Sequence, residues 1–172
     1  QVIELTSIRV VASPSKLTYS AGETFNPTGL EIELKYSDNT TTERVEYAGH
    51  ESDFSFSQTG AFSATGGLNQ TVVVTYKGKT ADIYVKVKYL SEISVDITAS
   101  TNKTNYKVGE YYNPVGLVLK LTYSDGTNGT VSYSNTDVNW SFNPSKTTKL
   151  TTSHNKVDIT YLGKQTFQNI QV

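Results

Sequence analysis

The chain has 172 residues, 15 Lys and Arg against 16 Asp and Glu for a formal net charge of −1, and neither Cys nor Met. A balance this even argues against a nucleic-acid footprint, which requires concentrated positive charge, and the absence of Cys excludes thiol catalysis, thiolate metal sites and disulfides. Thr (25), Val (17) and Tyr (12) outnumber Ala (7) and Leu (11); β-branched and aromatic residues fit pleated strands, so an all-β chain is expected.

In chain order, Ile8 and Val10 open the first strand. Leu30, Ile32, Leu34 and Tyr36 alternate with Glu31, Glu33 and Lys35, which predicts a strand with one buried face and one wet face. Asp38-Asn39 marks a tight turn, since Asp, Asn and Gly tolerate the positive φ that such turns require. Phe54 and Phe56 alternate in a further strand. Val72, Val74 and Tyr76 follow, and the two-residue turn Lys77-Gly78 leads into a closing strand from Ile83 to Lys88, the pattern of a hairpin. No stretch carries the apolar stripe of a helix. No window approaches the roughly 18 consecutive apolar residues of a membrane span, and no basic-then-apolar segment opens the chain, so no membrane insertion is expected of this segment. Because the chain opens on Gln1 rather than Met, any signal peptide or anchor is expected to lie outside it.

The same signals then return. Tyr19, Gly22, Glu23, Phe25, Asn26, Pro27, Gly29 and Leu30 recur as Tyr106, Gly109, Glu110, Tyr112, Asn113, Pro114, Gly116 and Leu117, at a constant offset of 87. Tyr36-Ser37-Asp38 maps onto Tyr123-Ser124-Asp125 at the same offset, Phe54 and Phe56 onto Trp140 and Phe142 at 86, and Thr75-Tyr76-Lys77-Gly78-Lys79 onto Thr160-Tyr161-Leu162-Gly163-Lys164 at 85. Offsets that drift by one or two residues mark loop-length changes between fixed strands. The expected domains are therefore residues 1–88 and 89–172, each an antiparallel β-sandwich of about seven short strands. Tyr89-Leu90-Ser91 joins them without a Gly, Ser or Pro run, so the linker is too short to behave as a flexible coil and the units are expected to sit end to end with limited bending.

The run Tyr19-Ser20-Ala21-Gly22-Glu23-Thr24-Phe25-Asn26-Pro27-Thr28-Gly29-Leu30, followed by Tyr36-Ser37-Asp38, resembles the bacterial immunoglobulin-like domain, group 3. The second unit is similar to the same family through Tyr123-Ser124-Asp125-Gly126-Thr127. Asn26 and Asn113 stand where that family more often has Asp. The resemblance implies two tandem immunoglobulin-like sandwiches of a cell-surface or secreted bacterial protein, repeated as a stalk beside adhesive, carbohydrate-binding or enzymatic domains, with no catalytic residue to carry over.

The residues offer little chemistry of their own. His50 and His154 are the only histidines and occupy non-equivalent positions, and no Gly-x-Ser-x-Gly elbow is present. His50-Glu51-x-Asp53 is the densest set of potential metal ligands, but its counterpart in the second unit keeps only Asp137, so it reads as a solvated loop and no metal or other cofactor is expected. Lys35, Lys86 and Lys120 fall on the outward halves of their strands, as ordinary surface lysines do. Five Asn-x-Ser/Thr sequons begin at Asn39, Asn69, Asn102, Asn128 and Asn139, a number that this composition yields by chance. Three aromatics are candidates for ligand contact. Tyr111 lies beside Tyr112, and strand alternation can bury only one of them; Tyr133 aligns with Tyr47; Trp140 replaces Phe54, and core packing is its simpler expectation.

The expected function is a non-catalytic spacer or stalk, extracellular or on the bacterial surface, that positions adjacent domains. The alternative is a carbohydrate- or protein-binding, adhesin-like module using Tyr111, Tyr133 or Trp140. Expected partners are neighbouring domains of the same polypeptide, with a glycan or surface protein under the alternative. The chain is expected to be a monomer and not an enzyme.

Overall fold

A computed structural model describes residues 2–172. The chain divides into two compact units, Gln1–Tyr89 and Leu90–Val172. The first contains β1 (Leu5–Ala12), β2 (Thr18–Ser20), β3 (Glu31–Tyr36), β4 (Thr42–Glu46), β5 (Phe54–Phe56), β6 (Asn69–Tyr76) and β7 (Lys79–Lys88). The second contains β8 (Leu90–Val95), β9 (Val118–Tyr123), β10 (Asn128–Ser132), β11 (Trp140–Asn143), β12 (Lys156–Tyr161) and β13 (Lys164–Asn169). Among the described residues, helix is limited to the single 3₁₀ turns Glu51–Asp53 and Ala64–Gly66.

Each unit packs two sheets face to face. In the first, β1-β3-β4 opposes β2-β7-β6-β5, antiparallel throughout except for β2 against β7. In the second, β8-β9-β10 opposes β11-β12-β13. The counterpart of β2 is reduced there to one parallel bridge, Asn105 with Gln171, so the second unit has six named strands where about seven are expected. That bridge matches Thr18 paired with Lys86, and the bridge between Tyr111 and Lys149 matches the one between Thr24 and Ala61. Homologous positions thus pair with homologous positions.

The alternation in the sequence explains the cores. Ile32 and Leu34 from β3 meet Val72, Val74 and Tyr76 from β6 and Ile83, Val85 and Val87 from β7, all buried. Burying each such side chain stabilises the fold by roughly 1.5–3 kcal/mol. In the second unit Leu119, Leu121, Ile159 and Tyr161 form one cluster, Tyr112, Leu150, Val157 and Ile170 another, and Phe142 packs against both. The closing hairpins turn as expected. Lys77 and Gly78 have φ of 46° and 76°, and Leu162 and Gly163 have 48° and 76°, the left-handed pair of a type I′ turn.

One expectation is corrected. Alternation places Glu33 on the wet face of β3, yet it is buried, because Arg9 of β1 closes over it with a bidentate pair at 2.8 and 3.1 Å. Arg9 holds the Glu33 carboxyl below its ordinary range. The outward face of a strand remains wet only if the neighbouring strands carry nothing long enough to cover it.

The recurring Tyr-x-x-Gly-Glu run is a structural clamp. Tyr19 is buried, its hydroxyl donates to the Lys16 carbonyl at 2.9 Å and accepts from the Asn26 N–H at 3.2 Å. Tyr106 does the same with Lys103 at 2.7 Å and Asn113 at 3.1 Å. The Glu23 carboxylate accepts from the Ser20 N–H at 2.7 Å and from Lys16 Nζ at 2.8 Å, and Lys16 lies 5.0 Å from the centre of the Tyr19 ring. Glu110, Lys107, Lys103 and Tyr106 repeat the set, with the ammonium 4.9 Å from the ring centre. Gly22 and Gly109, at φ of 96° and 88°, turn the chain between these groups in a region that a β-carbon disfavours. Asn26 and Asn113 use an amide oxygen to accept the N–H two residues on, from Thr28 and Val115, so a carboxylate is not needed at those positions.

Several carboxyls are held below their ordinary values in the fold: Glu23 and Glu110 chiefly by Lys16 and Lys103, Glu33 by Arg9, and Asp38 to about 2 by the Thr41 side chain. A group whose folded pKa is depressed contributes stability above its unfolded pKa, and that contribution is lost as pH falls through the folded value. With respect to these groups the melting temperature is therefore expected to be level at neutral pH, to begin falling near the ordinary carboxyl values of 3.8 to 4.5, and to continue falling toward pH 2, as a pH series of thermal melts will show. Tyr19→Phe and Tyr106→Phe are each expected to lower the stability of their own unit by about 0.5–1.5 kcal/mol, because the part-buried hydrogen bonds that the hydroxyl makes to the Asn N–H and the Lys carbonyl are lost. Urea titration followed by circular dichroism reads both.

Candidate functional site

On β7, Ile83, Val85 and Val87 point inward, which leaves Tyr84 on the outer face with 72% of its surface exposed. A cleft of about 650 Å³ lies beside it, lined by Leu17, Thr18, Asn69, Thr71 and Lys86 among others. Thr71 pairs directly with Tyr84, and Lys86 pairs with Asn69 on one side and Thr18 on the other, so these side chains share one face of the sheet. On β13 the equivalent face carries Phe167, 54% exposed. Lys156 Nζ sits 5.5 Å from its ring centre and pairs with Asp158 at 2.8 Å. Neither Tyr84 nor Phe167 was among the aromatics singled out in the sequence. The signal was available, because strict alternation about Val85 sends Tyr84 outward.

The three aromatics that the sequence put forward do not form one site. Tyr111 is half-exposed while Tyr112 beside it is buried against Phe142, 5.4 Å away. Tyr133 is half-buried, edge-on to Trp140 at 5.4 Å and to Phe142 at 5.6 Å. Lys146 donates to its hydroxyl at 2.6 Å and lies 5.2 Å from its ring centre. Trp140 as a ligand contact is corrected by its burial: its ring packs 4.8 Å from Tyr161, as Phe54 packs 5.0 Å from Tyr76 in the first unit. A ring enclosed between sheets has no face left for a ligand.

Trp140 Nε1 is buried without a partner at hydrogen-bonding distance. The Asp137 carboxyl is held below its ordinary range chiefly by the Asn139 backbone N–H and, more weakly, by the Trp140 and Tyr161 side chains. Burial in turn pushes the Tyr161 phenol up.

Other candidate chemistry is dispersed. Glu51 accepts from the Gly49 N–H at 2.9 Å within the 3₁₀ turn, and His50 Nδ1 lies 3.2 Å from the Glu46 carbonyl. Among the described residues no three His, Asp or Glu side chains gather closely enough to hold a metal ion. Lys35, Lys86 and Lys120 are exposed, as their strand positions require.

Residues 12–87 match the family model described as bacterial Ig-like domain (group 3). Among curated proteins, pectate lyase L of Thermoclostridium stercorarium is 29% identical over 124 residues, which is 72% of this chain. The chain spans 9% of the length of that protein.

Trp140→Phe is expected to be nearly neutral in stability, since Phe54 fills the equivalent place and the orphaned N–H is removed with the indole. Trp140→Ala is expected to cost about 3–5 kcal/mol through the cavity it leaves. Denaturant titrations of the two variants, followed by far-ultraviolet circular dichroism, separate these outcomes; equal losses would place the indole N–H in a role that packing alone does not explain.

Proposed function

We propose that the chain as a whole is a tandem pair of bacterial Ig-like domains of group 3, the family whose model residues 12–87 match, serving as a non-catalytic spacer in a larger bacterial protein. The offset of 87 between the clamp residues and the matching bridges in the two units support reading residues 90–172 as a second copy. The observation that carries the spacer reading is the junction. β7 ends at Lys88 and β8 begins at Leu90, so Tyr89 alone separates two strands that are each held in a sheet. A one-residue connection leaves few torsions to absorb bending, and antiparallel ladders resist extension across many hydrogen bonds at once.

The proposed setting is extracellular or on the bacterial surface, and the proposed partners are neighbouring domains of the same polypeptide. The likeness to a short stretch of a pectate lyase fits a small module beside a polysaccharide-acting domain. The chain acts as a monomer in this reading. A second reading, contact with a glycan or surface protein through loop aromatics, is favoured only by the exposure of Tyr111.

Because the chain has no Cys, two labels can be placed cleanly at Thr59→Cys and Thr152→Cys, one exposed position in each unit. Pulsed dipolar spectroscopy is expected to give a narrow distance distribution, broadened by a Gly-Ser insertion after Tyr89. A parent chain as broad as the insertion variant would refute the spacer.

A further inference from the structure

We propose that the outer face of the β2-β7-β6-β5 sheet binds a chain of acidic sugars, with one sugar stacked on Tyr84. This goes beyond the spacer reading, which needs no ligand and survives if the site fails.

A single exposed aromatic is unremarkable by itself. Here it stands on β7, which pairs with β6 along its length and with β2 at its end, so the ring is carried by a rigid backbone. A cleft of about 650 Å³ opens next to it with Leu17 as an apolar wall. Thr18, Asn69 and Thr71 bring hydroxyl and amide groups to its rim. A sugar ring presents the complementary surface: an apolar face of C–H groups to lie on an aromatic, and an equator of hydroxyls to meet short polar side chains.

Charge sets the class of sugar. Among the described residues that line the cleft, Lys86 is the only side chain charged at neutral pH. It follows Tyr84 by two positions on the same face of β7, about 7 Å along the strand. Asp82 occupies the next outward position on the other side of Tyr84 and does not line the cleft. A carboxylate carried by the sugar ring, or by its neighbour in the chain, therefore meets a cation on the cleft side of the platform. A uronic-acid polymer satisfies both the ring and the charge.

The second unit provides an internal contrast. The counterpart of Tyr84 at offset 85 is Asn169, and the aromatic on that face, Phe167, has Lys156 over its ring and Asp158 beside the ammonium. Its π-face is occupied and its cation is already neutralised, so the site belongs to the first unit alone.

The test is affinity electrophoresis of the full chain in gels containing polygalacturonate, with a neutral galactan as the comparison. Retardation by polygalacturonate is expected, at least tenfold weaker in Tyr84→Ala, several-fold weaker and less salt-sensitive in Lys86→Gln, and unchanged in Phe167→Ala. Where Tyr84→Ala lowers the melting temperature, Tyr84→Thr keeps β propensity and takes its place. No retardation of the parent, or full affinity in both Tyr84 variants, overturns the site. Equal binding of the galactan with no effect of Lys86→Gln overturns the assignment to acidic sugars.

Discussion

The hydroxyl of one buried tyrosine per unit organises the rest of each sandwich. Tyr19 and Tyr106 sit inside the core but carry a polar atom that would be costly to leave unpaired, and the chain wraps a loop around each to satisfy it. The hydroxyl accepts from Asn26 or Asn113, the glutamate four residues on from each tyrosine caps the turn, and the lysine that pairs with that glutamate lies over the ring. With the loop held there, Leu30 and Leu117 enter the core strands in register. Gly29 and Gly116 take the positive φ that this entry demands, and at Gly116 a β-carbon would stand 2.6 Å from Thr101 Oγ1.

Around that common frame the two units differ in their interiors. In the first, Phe25 and Ile83 are apolar, and Ser15 stands at the surface. Their counterparts are Tyr112, Gln168 and Asn102, which form a closed set of hydrogen bonds. Asn102 and Gln168 exchange amide bonds at 2.7 and 3.1 Å, and the Tyr112 hydroxyl donates to Gln168 at 2.9 Å. A buried polar group is tolerated when its partners are complete, and here three replacements arrive together so that each satisfies the others. The frame accepts either solution because the strand order around it, β1-β3-β4 with β5-β6-β7 in the first unit and β8-β9-β10 with β11-β12-β13 in the second, is shared.

The outer faces differ for a simpler reason. Nothing in the core depends on what stands outward of Val85 or Gln168, so Tyr84 and Phe167 occupy neighbouring rather than equivalent positions. The outer faces of the two units can thus diverge without disturbing the fold, and Tyr84 and Phe167 accordingly stand opposite different neighbours.

Much of the architecture was legible beforehand. Period-two alternation and the turn residues Lys77-Gly78 and Leu162-Gly163 are local properties, set within a few residues by backbone geometry. The repeat at offset 87 needed no structure, and neither did the placement of Phe54 and Trp140 at one position of a common core. What only the tertiary structure decided is which distant side chains meet. Arg9 covers Glu33, Lys146 covers Tyr133, and Thr18, Asn69 and Lys86 come to one face because three strands align in a single register. Alternation states which way a side chain points. Whether it then stays in water depends on neighbours brought in by strand pairing, and that information is spread along the whole chain.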